Sequence, residues 1–85
     1  MSKAADYLGE LRNLIRDKAT EKGLKIMKVG STLKLVKDGD TVMNISDKGE
    51  IVELTFQGKK YTYDKWYTKP EHLAATIKQV LEHQF

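Results

Sequence analysis

Two histidines, His72 and His83, are the side chains best suited to catalysis or metal binding in this chain of 85 residues. They are eleven positions apart in a segment that the pattern predicts to be helical, which separates them by about 16 Å along the helix axis. Two imidazoles so far apart cannot bind one metal ion. The chain contains no cysteine, which also excludes thiolate metal sites, cysteine nucleophiles and disulfide bonds.

Other catalytic patterns are missing from the sequence. It has no glycine-rich phosphate loop, no nucleophile elbow and no zinc-protease motif. Nothing in sequence links Ser31 or Ser46 to a histidine that could act as its base. The acids between positions 38 and 50 sit at or beside predicted turns, where Asp is an ordinary turn former, and they lack calcium-loop spacing. We therefore expect a protein that is not an enzyme and that needs no cofactor.

The stretch KKYTYDKWYTKPEHL, residues 59–73, combines basic side chains with Tyr61, Tyr63, Trp66 and Tyr67. Aromatic rings beside lysines are suited to stacking on nucleic-acid bases or to anchoring in a pocket of a protein partner. The local pattern predicts Tyr61 and Tyr63 mainly in the core and Tyr67 as the hydrophobic staple of the following helix. It leaves open the side on which Trp66 lies.

Helical periodicity marks both ends of the chain. Residues 4–22 place apolar side chains at three- and four-residue spacing, beginning at Ala4, and Gly23 is positioned to end this helix. A second helix is predicted near the carboxyl terminus with an apolar stripe from Leu73 to Phe85. At its start, Thr68 and Glu71 form a capping-box pattern with Pro70 in the first turn.

Between the helices the hydrophobic period falls to two, which predicts β-strands. Five short runs are separated by glycine-containing pairs that suit tight hairpins, namely Gly30-Ser31, Asp38-Gly39, Lys48-Gly49 and Gln57-Gly58. The sequence thus predicts one α+β domain spanning residues 1–85. Its elements are an N-terminal helix, an antiparallel meander of four to five strands and a C-terminal helix, with both helices on one sheet face.

Turn positions also predict the register, because directly opposite residues share a face of the sheet. A two-residue turn at Lys48-Gly49 pairs Met43 with Leu54, and one at Gln57-Gly58 pairs Leu54 with Tyr61. The Asp38-Gly39 register is ambiguous by one residue. The opposite, outer face is then a candidate partner-binding surface, whose members are Val36, Val42, Ile51, Thr55 and Thr62.

The net charge of +3 is arranged in blocks, basic over residues 24–37, acidic over 38–53 and basic again over 59–69. Such alternation favours a specific protein partner, or self-association, over a continuous phosphate-binding track. We therefore expect an inhibitor, adaptor or regulator that acts through protein contacts. The alternative is a nucleic-acid-binding protein whose two basic blocks merge, using Lys25, Lys28, Lys34, Lys59, Lys60, Lys65 and Trp66.

The amino-terminal stretch MSKAADYLGELRN has no apolar run of signal-peptide length. No segment approaches the roughly 20 apolar residues that span a bilayer. These features lead us to expect a cytoplasmic protein that does not enter a membrane.

Overall fold

The structure, a computed structural model, describes residues 6–85. Two helices flank an antiparallel sheet whose five strands lie in the order of the chain, which confirms the predicted α+β meander. The elements are α1 (Tyr7–Glu21), β1 (Lys25–Val29), β2 (Thr32–Lys37), β3 (Asp40–Asp47), β4 (Ile51–Phe56), β5 (Lys59–Asp64) and α2 (Pro70–Gln84). The predicted helical residue Ala4 lies outside the described residues.

Local hydrogen bonds fix both ends of α1. The Asp6 carboxylate caps the first turn by accepting from the Gly9 N–H at 3.0 Å. At the other end Gly23 has a φ of 77°, and the Leu24 N–H donates to the Ala19 carbonyl at 2.8 Å. This is the Schellman arrangement, in which a glycine in the left-handed region lets the chain turn back over the last helical carbonyls.

Three hairpin turns occur where the sequence predicts them, at Gly30-Ser31 and at two further turns whose central residues both have positive φ. Asp38 and Gly39 have φ angles of 53° and 86°, and Gln57 and Gly58 have 52° and 79°. Positive φ at both central residues is the geometry that matches the twist of the flanking strands. The turn at Gln57-Gly58 gives the predicted pairing of Leu54 with Tyr61.

The β3–β4 register differs from the prediction by two residues. Met43 pairs with Phe56, instead of Leu54, because the turn is centred on Gly49-Glu50. The Lys48 N–H donates to the Ile51 carbonyl at 2.9 Å, which closes the turn one residue later than expected. A shift of two leaves every side chain on its predicted face.

A β-bulge resolves the ambiguity of the β2–β3 register. Leu35 pairs with Met43 but Val36 pairs with Thr41, so that Val42 is an extra residue on β3. The extra residue shifts the alternation of β3 by one position, and the buried residues Met43 and Ile45 both lie on one side of the bulge.

One hydrophobic core lies between the helices and a single face of the sheet. Helices α1 and α2 pack against each other, and α1 also lies over β1, β2 and β3. The strands contribute six buried side chains to this core, Leu33, Leu35, Met43, Ile45, Val52 and Leu54. All six belong to the face predicted to be internal.

Helix α2 begins one residue later than the capping-box pattern predicts. Its N-cap is Lys69, whose side chain makes no capping hydrogen bond, and Pro70 occupies the first helical position. Thr68 is instead held by the preceding turn, because its N–H donates to the Asp64 carbonyl at 2.8 Å. Tyr67 is 84% exposed and forms no staple. Neither α1 nor α2, the helices of residues 6–85, is long and apolar enough to cross a membrane.

Replacing Ile45, which is fully buried, should lower the free energy of unfolding. We expect Ile45→Ala to cost about 2–5 kcal/mol, because the substitution removes buried methylene groups and leaves a cavity between sheet and helices. Urea unfolding followed by circular dichroism measures the difference. The exposed control Gln79→Ala should stay within about 0.5 kcal/mol of the wild type. An equal loss in both variants would contradict the placement of Ile45 in the core.

Candidate protein-binding surface

The residues predicted as a partner-binding surface lie on the sheet face opposite the helices, with one exception. Val36, Ile51, Thr55 and Thr62 alternate along their strands with residues that point toward the helices. Val42, the extra residue of the bulge, packs against the margin of the core. The outer face is therefore left uncovered by α1 and α2.

These outer residues do not form one hydrophobic patch. Val36 lies at one end of the sheet, whereas Ile51 lies at the other end, opposite Asp64. The polar pair of Asn44 and Thr55 separates them. Polar and charged neighbours thus divide the apolar side chains of this face into small groups.

The lysines of the nucleic-acid alternative are divided between two edges of the sheet. Lys25 and Lys28 lie in β1 and Lys34 in β2, whereas Lys59 and Lys60 lie in β5. The strand order places β2, β3 and β4 between β1 and β5, so that the two edges are about 19 Å apart. The sheet does not bring the two basic blocks together.

Lys65 is held inside the molecule by Asp47. Its ammonium group donates to both carboxylate oxygens, at 2.8 and 2.9 Å, and each side chain is only 22% exposed. The same ammonium lies 5.6 Å from the centre of the Tyr7 ring, a cation–π geometry. Lys65 therefore joins the end of β3 to the start of α1 and to the segment after β5.

Tyr7 completes this connection through its hydroxyl group. The hydroxyl donates to the Thr68 carbonyl at 2.6 Å, across 61 residues of sequence. Burial, together with the negative charges of Glu71 and Asp47, raises the pKa of Tyr7 to about 12. The hydroxyl consequently stays protonated near neutral pH, and its role is that of a hydrogen-bond donor.

The electrostatic environment of Asp47 favours its charged form. Partial burial acts to raise the pKa of this carboxyl group. The hydrogen bonds from Lys65 and the Gly49 N–H, together with the charge of Lys65, outweigh that effect and leave the pKa below its usual value of 3.8. The ion pair is therefore formed at neutral pH.

Residues 64–68, which we call the aromatic turn, combine a fixed backbone with exposed rings. The Trp66 N–H donates to the Asp64 carboxylate at 2.7 Å, and the Lys65 N–H donates to the Glu50 carbonyl at 3.1 Å. Despite this support, Trp66 is 77% exposed and Tyr67 is 84% exposed. The open question about Trp66 is thus answered, since its ring lies in solvent.

A hydrophobic groove of about 210 Å³ lies between β5 and α2. Its lining residues are Met43, Leu54, Phe56, Tyr61, Tyr63, Thr76, Ile77 and Val80. Tyr63 is half-buried here, but Tyr61 is 43% exposed, so the prediction that Tyr61 is mainly core is wrong. The reason is that α2 lies against α1 and leaves the side of β5 open.

The two histidines occupy exposed positions on α2. Within residues 6–85 no group of three or more His, Cys, Asp or Glu side chains is arranged to hold a metal ion.

Tyr67 does not form the staple that the sequence predicts. The capping-box pattern places the N-cap at Thr68, which makes the preceding residue a staple. The contrary signal is Asp64, since an aspartate often bonds the backbone two residues later and so forms a turn of its own. The exposure of Met27 (50%) and Val29 (54%) was also missed, because β1 alternates weakly in sequence.

Comparison with protein-family models, with curated proteins and with solved structures finds no match for this chain. Its function is therefore argued from the chemistry of its own surface.

The ion pair of Asp47 and Lys65 should make stability depend on acidic pH. We expect Asp47→Asn to lower the free energy of unfolding by about 1 kcal/mol at pH 7, because one charge partner is lost. Since the pKa of Asp47 is lowered by folding, its contribution is present above the unfolded value of 3.8 and is lost as the pH falls. The stability difference between the two proteins should shrink as the pH falls below 3.8. Urea unfolding at pH 7 and at one pH below 3.8 tests this.

The matched control for that experiment is Asp17→Asn, which removes an exposed carboxylate that forms no ion pair within residues 6–85. Its effect should stay within about 0.5 kcal/mol at both pH values. A pH-independent loss in Asp47→Asn would show that the carboxylate acts only through packing.

The sole tryptophan makes the exposure of the aromatic turn directly measurable. We expect the fluorescence emission of Trp66 to resemble that of tryptophan in water and to be quenched efficiently by iodide, because 77% of its surface meets solvent. Unfolding in urea should change the quenching constant little. Emission shifted to the blue and protected from iodide would mean that the ring is buried.

Proposed function

We propose that this protein is a non-enzymatic binding module that contacts another protein, as an inhibitor, adaptor or regulator, or a second copy of itself. The observation that carries the proposal is the aromatic turn, where a supported backbone presents Trp66 and Tyr67 to solvent. Large exposed rings leave apolar surface in water and add nothing to folding. A partner that buries both rings would recover that free energy.

The support beneath the turn favours binding for a second reason. Three connections fix its backbone: Lys65 to Asp47, the Tyr7 hydroxyl to Thr68, and the Trp66 N–H to Asp64. A surface that is already ordered loses little conformational entropy when it binds. Tyrosine and tryptophan are also among the residues that contribute most to measured protein–protein affinity.

Local charge favours protein over nucleic acid at this surface. Asp64 lies within the aromatic turn, Glu50 is held beside it because the Lys65 N–H donates to the Glu50 carbonyl, and Glu71 follows in the first turn of α2. Carboxylates so placed repel a phosphate backbone and attract cationic side chains. The nucleic-acid alternative has less support, because its lysines lie at opposite edges of the sheet.

The proposal includes no catalytic role and no cofactor, and it places the protein in the cytoplasm. A small exported domain gains most from disulfide bonds, and this chain has no cysteine with which to form one.

Removing the two exposed rings should abolish partner binding without affecting the fold. We expect Trp66→Ala with Tyr67→Ala to leave the free energy of unfolding within about 0.5 kcal/mol, because neither ring is in the core. Tagged wild-type and variant proteins would be used to recover partners from native cell extract. A partner identified with the wild type is then titrated directly, with a blue shift of Trp66 emission as the signal.

The control is Val29→Ala, which removes exposed apolar surface of the opposite edge. It should retain the partner, and sedimentation velocity of all three proteins tests whether that partner is a second copy. Equal recovery by the Trp66/Tyr67 variant would contradict the proposal. Binding of a labelled oligonucleotide that weakens steeply with salt would favour the nucleic-acid alternative.

A further inference from the structure

A basic groove of about 400 Å³ lies on the other side of the molecule, between α1 and the edge strand β1. We call this feature the basic groove, and its lining residues are Arg12, Arg16, Thr20, Leu24, Lys25, Ile26 and Met27. The two arginines are one helical turn apart on the side of α1 that faces β1.

The positive charge of this groove is not neutralised within the described part of the chain. Arg12, Arg16 and Lys25 form no ion pair among residues 6–85. No acidic side chain lines the groove, and Glu21 near the end of α1 pairs with Lys18 on another side of the helix. Guanidinium groups bind carboxylates through two parallel hydrogen bonds, so a groove of this kind is suited to an acidic ligand.

The backbone along the groove is also open. β1 pairs only with β2, so its other side presents unpaired N–H and C=O groups within the described sheet. Such an edge can accept a further strand, whose main-chain hydrogen bonds supply affinity while alternate side chains meet the neighbouring element. Here the neighbouring element is α1 with its arginines.

The spacing of the two arginines on α1 matches the spacing of side chains on a strand added beside β1. Residues four apart on a helix are about 6 Å apart along the axis. Alternate residues of a strand are about 6.8 Å apart and point to the same face. Acidic residues at alternate positions of an added strand would therefore lie opposite Arg12 and Arg16 in turn.

We propose that the basic groove binds an extended acidic segment of another protein, which adds to the sheet beside β1. Open backbone groups favour a peptide over nucleic acid, since a phosphate chain offers no matching ladder of donors and acceptors. Lys25 and Lys28 on β1 increase the preference for an acidic segment. Lysines on an edge strand disfavour pairing with other strands but attract a strand that carries carboxylates. This site does not depend on the aromatic turn, which lies at the opposite edge.

The test uses a fluorescent peptide of about eight residues with glutamate and threonine in alternation, enough to span β1. We expect it to bind the full chain at low salt and to shift the backbone amide NMR signals of residues 25–29 and of Arg12 and Arg16. Arg12→Glu with Arg16→Glu should weaken binding at least about tenfold, since two attractive pairs become repulsive. The same peptide N-methylated at alternate positions should bind much more weakly, because it cannot form the ladder.

The matched control is Lys59→Glu with Lys78→Glu, which changes the net charge equally at exposed positions away from β1. It should change affinity less than twofold, and circular dichroism of both variants verifies that the fold is kept. Unchanged binding by the arginine variant, or full binding by the N-methylated peptide, would overturn the proposal. So would amide shifts confined to other strands, or tighter binding of an oligonucleotide in the same groove.

Discussion

The width of the sheet exceeds what two helices can cover, and most of the surface chemistry follows from that mismatch. Helices packed side by side at about 10 Å cover about 20 Å, whereas five strands with their side chains extend over about 24 Å. α1 and α2 pack on each other and bury the central face completely, with Leu33 and Ile45 fully enclosed. The part of the sheet that the helices do not cover therefore lies at its two edges. A groove therefore remains on each side, basic beside α1 and hydrophobic beside α2.

The connection between the helices and the last strand depends on polar contacts rather than on the core. After β5 the chain must leave the sheet and reach the start of α2, and Lys65 and Thr68 are held on the way by Asp47 and Tyr7. These contacts occupy the polar groups of the turn on its inner side. The bulky residues Trp66 and Tyr67 are then directed outward. The polar contacts on the inner side of the aromatic turn and the exposure of its rings on the outer side therefore both follow from the path of the chain between β5 and α2.

The fold could be predicted from the sequence because the patterns that determine it are local. Glycine turns, a period of two and the stop at Gly23 each act within a few residues, and they determine the meander and its inner face. The β3–β4 register differs from the predicted one by two residues because Gly49 can occupy either central position of a two-residue turn. In the structure the Gly49 N–H donates to the Asp47 carboxylate, and this contact favours the turn centred on Gly49-Glu50. The link from Tyr7 to Thr68 has no local signal, since 61 residues separate the partners. The position of Trp66 depends on such contacts and could not be derived.

The sheet has two open edges, and charged side chains on both edge strands oppose their pairing with other copies of the chain. An exposed edge strand can pair with the edge of another copy, which leads to open-ended association. Here β1 carries Lys25 and Lys28 and β5 carries Lys59 and Lys60, so that the meeting of any two edges brings like charges together. Edge-to-edge assembly of identical chains is disfavoured on these grounds. The same lysines leave β1 selective for a strand of opposite charge, and any pairing of two copies is directed toward the aromatic turn, whose rings carry no such repulsion.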